Sequence, residues 1–302
     1  MSKETKMPFK MCEILAEGEG KLLQAGIEEY KNDAWLLFEH AFGIDRTHYF
    51  LRMKEEISKI ENGISLYQKY ENEIDLRCRH IPLQHITGHQ VFMGIDFEVS
   101  EHVLIPRQDT EILVEQALKK TGDLSENDRG SGTALEILDM CTGSGCIAIS
   151  MKKLAKVPVR VTAVDLSEQA LQMAVKNAEN NHCEIELIQS DLFEKIGDRK
   201  FDMIISNPPY IRSDVIPGLM EEVRSHEPLM ALDGDKDGLK FYKKITENAV
   251  KRLNTGGCIF YETGCDQAED VGKILKEYGF VHIRTVKDLA GLDRVVAAEY
   301  FH

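Results

Sequence analysis

From residue 135 onward, short apolar runs of strand length alternate with amphipathic stretches of helical period. Few folds accommodate that alternation. LEILDM (135–140), VRVTAVD (159–165), IELIQSD (185–191) and FDMIISN (201–207) read as strands; CIAISMKKLA (146–155) and SEQALQMAVKNAENN (167–181) read as helices between the first three. Residues 238–253 predict a helix, GCIFYE (257–262) a strand, 267–278 a helix, and 280–286 and 294–300 two final strands. A parallel neighbour requires a crossover, and a helix is the usual one. The expected class is therefore α/β, a doubly wound and mostly parallel seven-stranded sheet. The short connection GLDR (291–294) marks the last two strands as an antiparallel pair at one edge.

Residues 11–80 have a different texture. Apolar residues recur there at spacings of three and four: Ile14, Leu15, Leu22, Leu23, then Trp35 to Phe38, then Ile57, Ile60, Ile64, Leu66 and Tyr67. That period predicts a small helical bundle, with Asp33 and Thr47 at helix N-caps. Pro82 and Gly88 punctuate the chain, and VFMGIDFEVSEHVLIP reads as short strands with a turn near Gly94 or Ser100. The expected organisation is a helical bundle over 1–85, a β-hairpin linker over 86–106 and the α/β domain over 107–302. The polar stretch TGDLSENDRGSGT (121–133) reads as an exposed loop, and MSKETKMPF as a mobile terminus.

Composition limits the partners. The net charge of −14 argues against wrapping nucleic acid, which wants a basic face. No stretch approaches the ~20 apolar residues of a membrane span, and the N-terminus lacks a signal-peptide core, so a cytoplasmic location is expected. Seven cysteines, without a C-x-x-C pair, predict free thiols, and no metal site is expected around His80, His85 and His89.

Two local motifs carry the chemistry. Asp139-Met140-Cys141-Thr142-Gly143-Ser144-Gly145 joins the first strand to its helix, where glycines allow a sharp turn and close approach to a ligand. Asp165 ends the next strand, placed to accept the ribose hydroxyls of an adenosine cofactor. Gly143-Ser144-Gly145-Cys146-Ile147-Ala148 also fits a dinucleotide fingerprint, so the loop alone leaves S-adenosylmethionine, a nicotinamide or a flavin open. An acid at Asp139 suits the cationic amino end of S-adenosylmethionine better than a pyrophosphate.

Asn207-Pro208-Pro209-Tyr210 follows the apolar strand FDMIIS. Its prolines fix φ and remove two backbone donors, leaving carbonyl oxygens exposed. The Pro208 carbonyl and the Asn207 side-chain oxygen can both accept from one –NH₂ group, and Tyr210 offers a flat face to a planar group. An amide nitrogen is a poor nucleophile because its lone pair is delocalised. Two acceptors aimed at its hydrogens favour a more tetrahedral nitrogen and stabilise the charge that develops on it.

Together these segments resemble the release-factor glutamine N5-methyltransferases, the PrmC/HemK family. The resemblance covers most of residues 80–302. It rests on PLQHITGHQVFMGIDFEV (82–99), VLIPRQDTE (103–111), ILDMCTGSGCIAIS (137–150), VTAVDLSEQAL (161–171), SDLF (190–193), FDMIISNPPYI (201–211), EPLMALDGDKDGL (227–239) and KDLAGLDRVV (287–296). It implies a Rossmann-like methyltransferase fold that uses S-adenosylmethionine, giving S-adenosylhomocysteine, with an N-terminal bundle that docks a protein substrate. By resemblance, Cys141, Thr142, Gly143, Ser144 and Gly145 line the methionine part of the cofactor, Asp165 holds the ribose, and Asp191 and Leu192 border the adenine. Asn207 lies between cofactor and substrate. Asn207, Pro208, Pro209 and Tyr210 grip the glutamine of a Gly-Gly-Gln loop in a peptide chain release factor, with Asn207, Pro208 and Tyr210 as the catalytic set. Arg107, a further substrate-binding candidate, and Glu111 lie in a segment the family uses near its active site; a salt-bridged cap is the plainer reading of that pair.

Two departures stand out. Cys141 replaces a usual glycine, and Arg107-Gln108-Asp109-Thr110-Glu111 lacks the proline of the usual R-P-E-T-E. The main competitor is an adenine-N6 DNA methyltransferase, which grips an exocyclic amine with a similar [DN]-P-P-[YF] motif. A nicotinamide oxidoreductase explains the glycine loop but leaves Asn207–Tyr210 without a use.

Overall fold

A computed structural model describes residues 10–126 and 133–301. The terminal segment 1–9 and the central part of the predicted 121–133 loop lie outside them; Thr121 to Glu126 continue a helix instead. The chain divides into two compact units. The first comprises the described residues through Gly88 together with Glu221–His226, and the second comprises His89–Met220 with Glu227–His302.

In the first unit, α1 (Met11–Gln24), α2 (Tyr30–Phe42), α3 (Arg46–Arg52), α4 (Gly63–Cys78) and α5 (Leu83–Thr87) enclose Ile14, Leu22, Leu37, Phe38, Tyr70 and Ile74. Gly18 is required by close approach, because a Cβ there would lie 2.0 Å from the Tyr70 hydroxyl oxygen. Asp33 and Thr47 are not caps. Asp45 caps α3 by accepting from the His48 N–H at 2.8 Å. Asp33 lies buried in the first turn of α2, where it receives the Arg77 Nε–H at 2.7 Å. Arg77 also donates to Glu222 at 2.6 Å, which ties residues 221–226 into this unit. A buried guanidinium needs such partners to offset its lost hydration.

The second unit begins with the hairpin β1 (His89–Phe92) and β2 (Ile95–Glu98). Met93 and Gly94 at its turn both have positive φ, as a two-residue hairpin of the favoured twist requires. The hairpin belongs to this unit rather than forming a linker, because Phe92, Ile95 and Phe97 are buried in its core. Then follow α6 (Gln108–Glu126), β3 (Leu135–Met140), α7 (Cys146–Leu154), β4 (Val159–Asp165), α8 (Glu168–Asn180), β5 (Glu186–Gln189) and β6 (Phe201–Ser206). After α9 (Glu221–His226), the chain continues through α10 (Leu229–Leu232), α11 (Lys240–Arg252), β7 (Leu253–Glu262), α12 (Ala268–Glu277), β8 (Val281–Lys287) and β9 (Asp293–Tyr300).

The sheet has seven strands in the order β5-β4-β3-β6-β7-β9-β8. The first five are parallel, and β9 pairs antiparallel with both β7 and β8, as the alternation and the short 291–294 connection predict. Side chains alternate between the two faces. Ile137, Met203, Ile205 and Phe260 enter one core, while Leu138, Ile204, Ile259 and Tyr261 enter the other. Both faces are covered, which is why the central strands read as continuous apolar runs. Strand order reverses between β3 and β6, and such a reversal opens a crevice at the strands' carboxyl ends. Among the described residues, no helix is long and apolar enough to cross a membrane.

Candidate active site

A cavity of about 550 Å³ lies at that reversal, within the size range of small-molecule sites. Its floor is the loop after β3. Thr142 N–H donates to the Val164 carbonyl at 2.9 Å, joining the loop to β4. Gly143 has φ +55° and Gly145 φ +82°, and the latter opens α7. A Cβ on Gly145 would also meet Ala174 of α8 at 3.1 Å. Gly145 is thus needed for helix packing and does not line the cavity, whereas Cys141, Thr142, Gly143 and Ser144 do.

Asp139 lies beneath the loop. Its Oδ2 accepts from Thr142 Oγ1 at 2.6 Å and from Ala148 N–H at 3.1 Å. The carboxyl is fully buried, which pushes its pKa up to about 7 against those hydrogen bonds. It shapes the loop from below and is not among the lining residues, so the expected role beside a cationic amino group does not follow from its position. Asp165 does line the cavity. Its Oδ2 accepts from Gly143 N–H at 2.8 Å and its Oδ1 from Ser167 N–H at 2.9 Å. Burial raises this carboxyl above the usual range while the backbone donors pull it down. Asp191 and Leu192, just beyond β5, complete that wall.

Cys141 has φ +65°, a conformation that costs an L side chain roughly 1–2 kcal/mol. Burial also lifts its thiol well above the ordinary value. Cys141→Gly is expected to raise unfolding stability by about 1 kcal/mol, read from the urea midpoint. A lower midpoint would mean that the thiol's packing outweighs the backbone strain.

The second motif starts where β6 ends. Ser206 Oγ donates to the Met140 carbonyl at 2.6 Å, holding the ends of β6 and β3 together. Asn207 and Pro209 line the cavity; Pro208 is buried, and neither it nor Tyr210 is among the lining residues. Asn207 Nδ2 donates to Thr110 Oγ1 at 3.3 Å. Tyr210 is held from behind at several points. Gln267 Nε2 donates to its carbonyl at 2.9 Å, and its hydroxyl makes a long 3.4 Å bond to Glu262 Oε1. Gly234 N–H donates to the Ile211 carbonyl at 2.8 Å, and a Cβ on Gly234 would lie 2.8 Å from the Tyr210 Cα. Gly238 is tighter still, 2.5 Å from the Tyr210 carbonyl oxygen by the same construction. The DGDKDGL segment is therefore a backing wall whose glycines let the motif seat.

Arg107 lines the cavity and pairs with the buried Glu227. Glu111 does not reach it; its Oε1 accepts from Met93 N–H at 2.6 Å and fixes the hairpin turn. Thr110, Glu227, Glu262 and Gln267 are functional candidates that the sequence reading passed over. The one signal for Glu262 was a lone acid ending the apolar run GCIFY, at the ligand side of a parallel sheet.

Residues 13–88 match the model of the PrmC N-terminal domain, and residues 110–222 that of the methyltransferase small domain. The chain is 40% identical over 294 residues to the release factor glutamine methyltransferase of Clostridium acetobutylicum, covering 96% of this chain and 98% of that one. To the Geobacter sulfurreducens protein of the same name it is 37% identical over 284 residues, with 94% of each chain covered. It belongs to the release factor glutamine methyltransferase family. A methyltransferase structure from Pyrococcus furiosus shares the fold alone, at 18% identity and a TM-score of 0.50 over 70% of this chain and 92% of that one. In this methyltransferase the glycine loop and the Asn207 motif meet only because β3 and β6 are neighbours, although they lie more than sixty residues apart in sequence.

Proposed function

We propose that this methyltransferase moves a methyl group from S-adenosylmethionine to N5, the side-chain amide nitrogen of the glutamine in a release factor's Gly-Gly-Gln loop. The observation that carries the reading is one cavity lined both by the glycine loop with Asp165 and by Asn207 and Pro209 of the second motif. Its residues fit the cofactor. Asp165 presents a carboxylate to a ribose, Cys141 to Ser144 receive the methionine part, and Asp191 and Leu192 border the adenine. When bound, S-adenosylmethionine supplies an electrophilic methyl on a sulfonium.

The protein's task is then to make an amide nitrogen reactive. Asn207 Oδ1 and the Pro208 carbonyl accept its two hydrogens, favour pyramidalisation and stabilise the developing positive charge. Tyr210, behind the cavity wall, braces the motif, and Arg107 lines the cavity beside it. Apolar residues Leu229 and Met230, 60% and 50% exposed, border the same cavity and suit the backbone and small side chains of a glycine-rich loop. The helical first unit docks the body of the release factor. Direct nucleic-acid binding is not expected of a chain with net charge −14, which disfavours the adenine-N6 DNA alternative.

The test is transfer of radiolabel from S-adenosylmethionine to a purified release factor, beside a Gly-Gly-Gln→Gly-Gly-Ala factor and duplex DNA. Label on the native factor alone is the expected result. Label on DNA would promote the adenine reading, and equal label on both factors would remove the glutamine as target.

A further inference from the structure

Gln267 stands at the N-cap of α12, a position where Ser, Thr, Asp or Asn usually accepts the first free N–H groups of the helix. Its side chain makes no such bond and is buried instead. There its amide meets only backbone. Oε1 accepts from Gly264 N–H at 3.0 Å, and Nε2 donates to the Tyr210 carbonyl at 2.9 Å and to the Gly238 carbonyl at 3.4 Å. A backbone N–H can only donate and a carbonyl can only accept, so the amide sits one way round. The surrounding chain leaves room for it. A Cβ on Gly264 would lie 2.9 Å from Oε1, and one on Gly238 would run into Nε2 itself. Segments after β6, before α11 and after β7 thus converge on one side-chain amide.

The bond to Tyr210 gives that slot a use. The prolines of Asn207-Pro208-Pro209-Tyr210 lack the N–H groups that pin an ordinary turn. The turn is held from its far end instead. Ile211 N–H donates to the Leu232 carbonyl at 3.0 Å, and Gly234 N–H to the Ile211 carbonyl at 2.8 Å. Gln267 takes the Tyr210 carbonyl, the last group of the motif itself. The Pro208 carbonyl, proposed to accept from the substrate amide, lies two residues earlier, with the stiff Pro209 between. A shift at Tyr210 therefore carries to that carbonyl, and a misplacement of about 1 Å can cost ~10²-fold in rate.

We infer that Gln267 is a positioning residue for methyl transfer: by donating to the Tyr210 carbonyl, its amide fixes where the Pro208 carbonyl and Asn207 stand. The inference rests on the proposed glutamine reaction, in which those two groups accept from the substrate.

The test combines turnover with a readout that needs no substrate. Gln267→Met keeps the length and the packing and removes the donor. It should lower kcat on the release factor ~10–10²-fold at saturating S-adenosylmethionine, a typical loss for misplaced reacting groups. Cofactor Kd should barely change, because β3 and β4 carry the glycine loop and Asp165. Gln267→Leu should behave alike and serves where the methionine variant does not fold. In hydrogen exchange of the whole protein, the Ile211 and Gly234 amides should exchange ~10-fold faster in the variant, the size of one lost hydrogen bond, while Ile137 and Leu138 in β3 keep the wild-type rate. Retained kcat would overturn the inference. So would a loss of kcat that comes with weaker cofactor binding and faster exchange in β3, which marks general loosening. If wild type fails to label the release factor, the glutamine reading fails by itself. The exchange then decides alone, and unchanged Ile211 and Gly234 rates in the variant overturn the positioning role.

Discussion

Asn207→Ala lowers kcat by ~10²–10³-fold while cofactor affinity stays within about twofold, the loss typical of removing one preorganised polar contact from a transition state. The asparagine stands at the end of β6, in the crevice between β6 and β3, where its backbone is fixed by the strand before it and by Pro208 after it. Alanine keeps that backbone. It removes only the carbonyl acceptor for the amide hydrogen and the Nδ2 bond to Thr110. The nitrogen's lone pair then stays delocalised as the methyl approaches, and the barrier rises by about 3–4 kcal/mol. The measurement is single-turnover methylation of a release factor at saturating S-adenosylmethionine, with calorimetry for cofactor binding. Activity within threefold of wild type would show that Asn207 is not part of the grip.

Asp165→Ala acts on the other side of the cavity. Its carboxylate accepts Gly143 N–H and Ser167 N–H, which leaves a lone pair on each oxygen for a ribose hydroxyl. Two hydrogen bonds to a charged group, at about 1.5 kcal/mol each, amount to about 3 kcal/mol, or ~10² in Kd. The glycine loop also loses an anchor, so affinity falls at least that far, while kcat at saturating cofactor changes little. Asp165→Asn keeps one acceptor and should fall between, at ~10-fold. An unchanged cofactor KM in Asp165→Ala would remove its ribose role. A melting temperature close to wild type in apo form separates lost binding from lost folding.

That these two residues would each line one cavity end was legible in the sequence, because each sits in a segment whose pattern is local. Asn207 is followed by two prolines after an apolar strand, and Asp165 ends the strand after a glycine loop. The same holds for most of the architecture. Strand and helix periods are written in neighbouring residues, because the pleat repeats every two residues and the helix every 3.6. The short 291–294 connection likewise sufficed for the antiparallel edge. Local rules erred where a distant partner outbid them: Asp33 looks like a cap, but Arg77, far along the chain, draws it into a buried ion pair.

What the tertiary structure decided is everything that depends on residues brought together from afar. Thr110 meets Asn207 across 97 positions, Tyr210 meets Glu262 across 52, and Gln267 meets Tyr210 across 57. None of these pairs has a signature in its own neighbourhood, since a threonine in a first helical turn or a glutamine before a helix is ordinary. Residues 221–226 lie within the methyltransferase sequence, yet Arg77 claims Glu222 for the helical unit. Sequence by itself thus determined the elements, their class and the two motifs proposed to carry the chemistry, because chain-local sterics and hydrophobic period set those. The strand order alone put the motifs on one cavity and surrounded Asn207 with its supports, because only a folded sheet can bring the carboxyl ends of distant strands side by side.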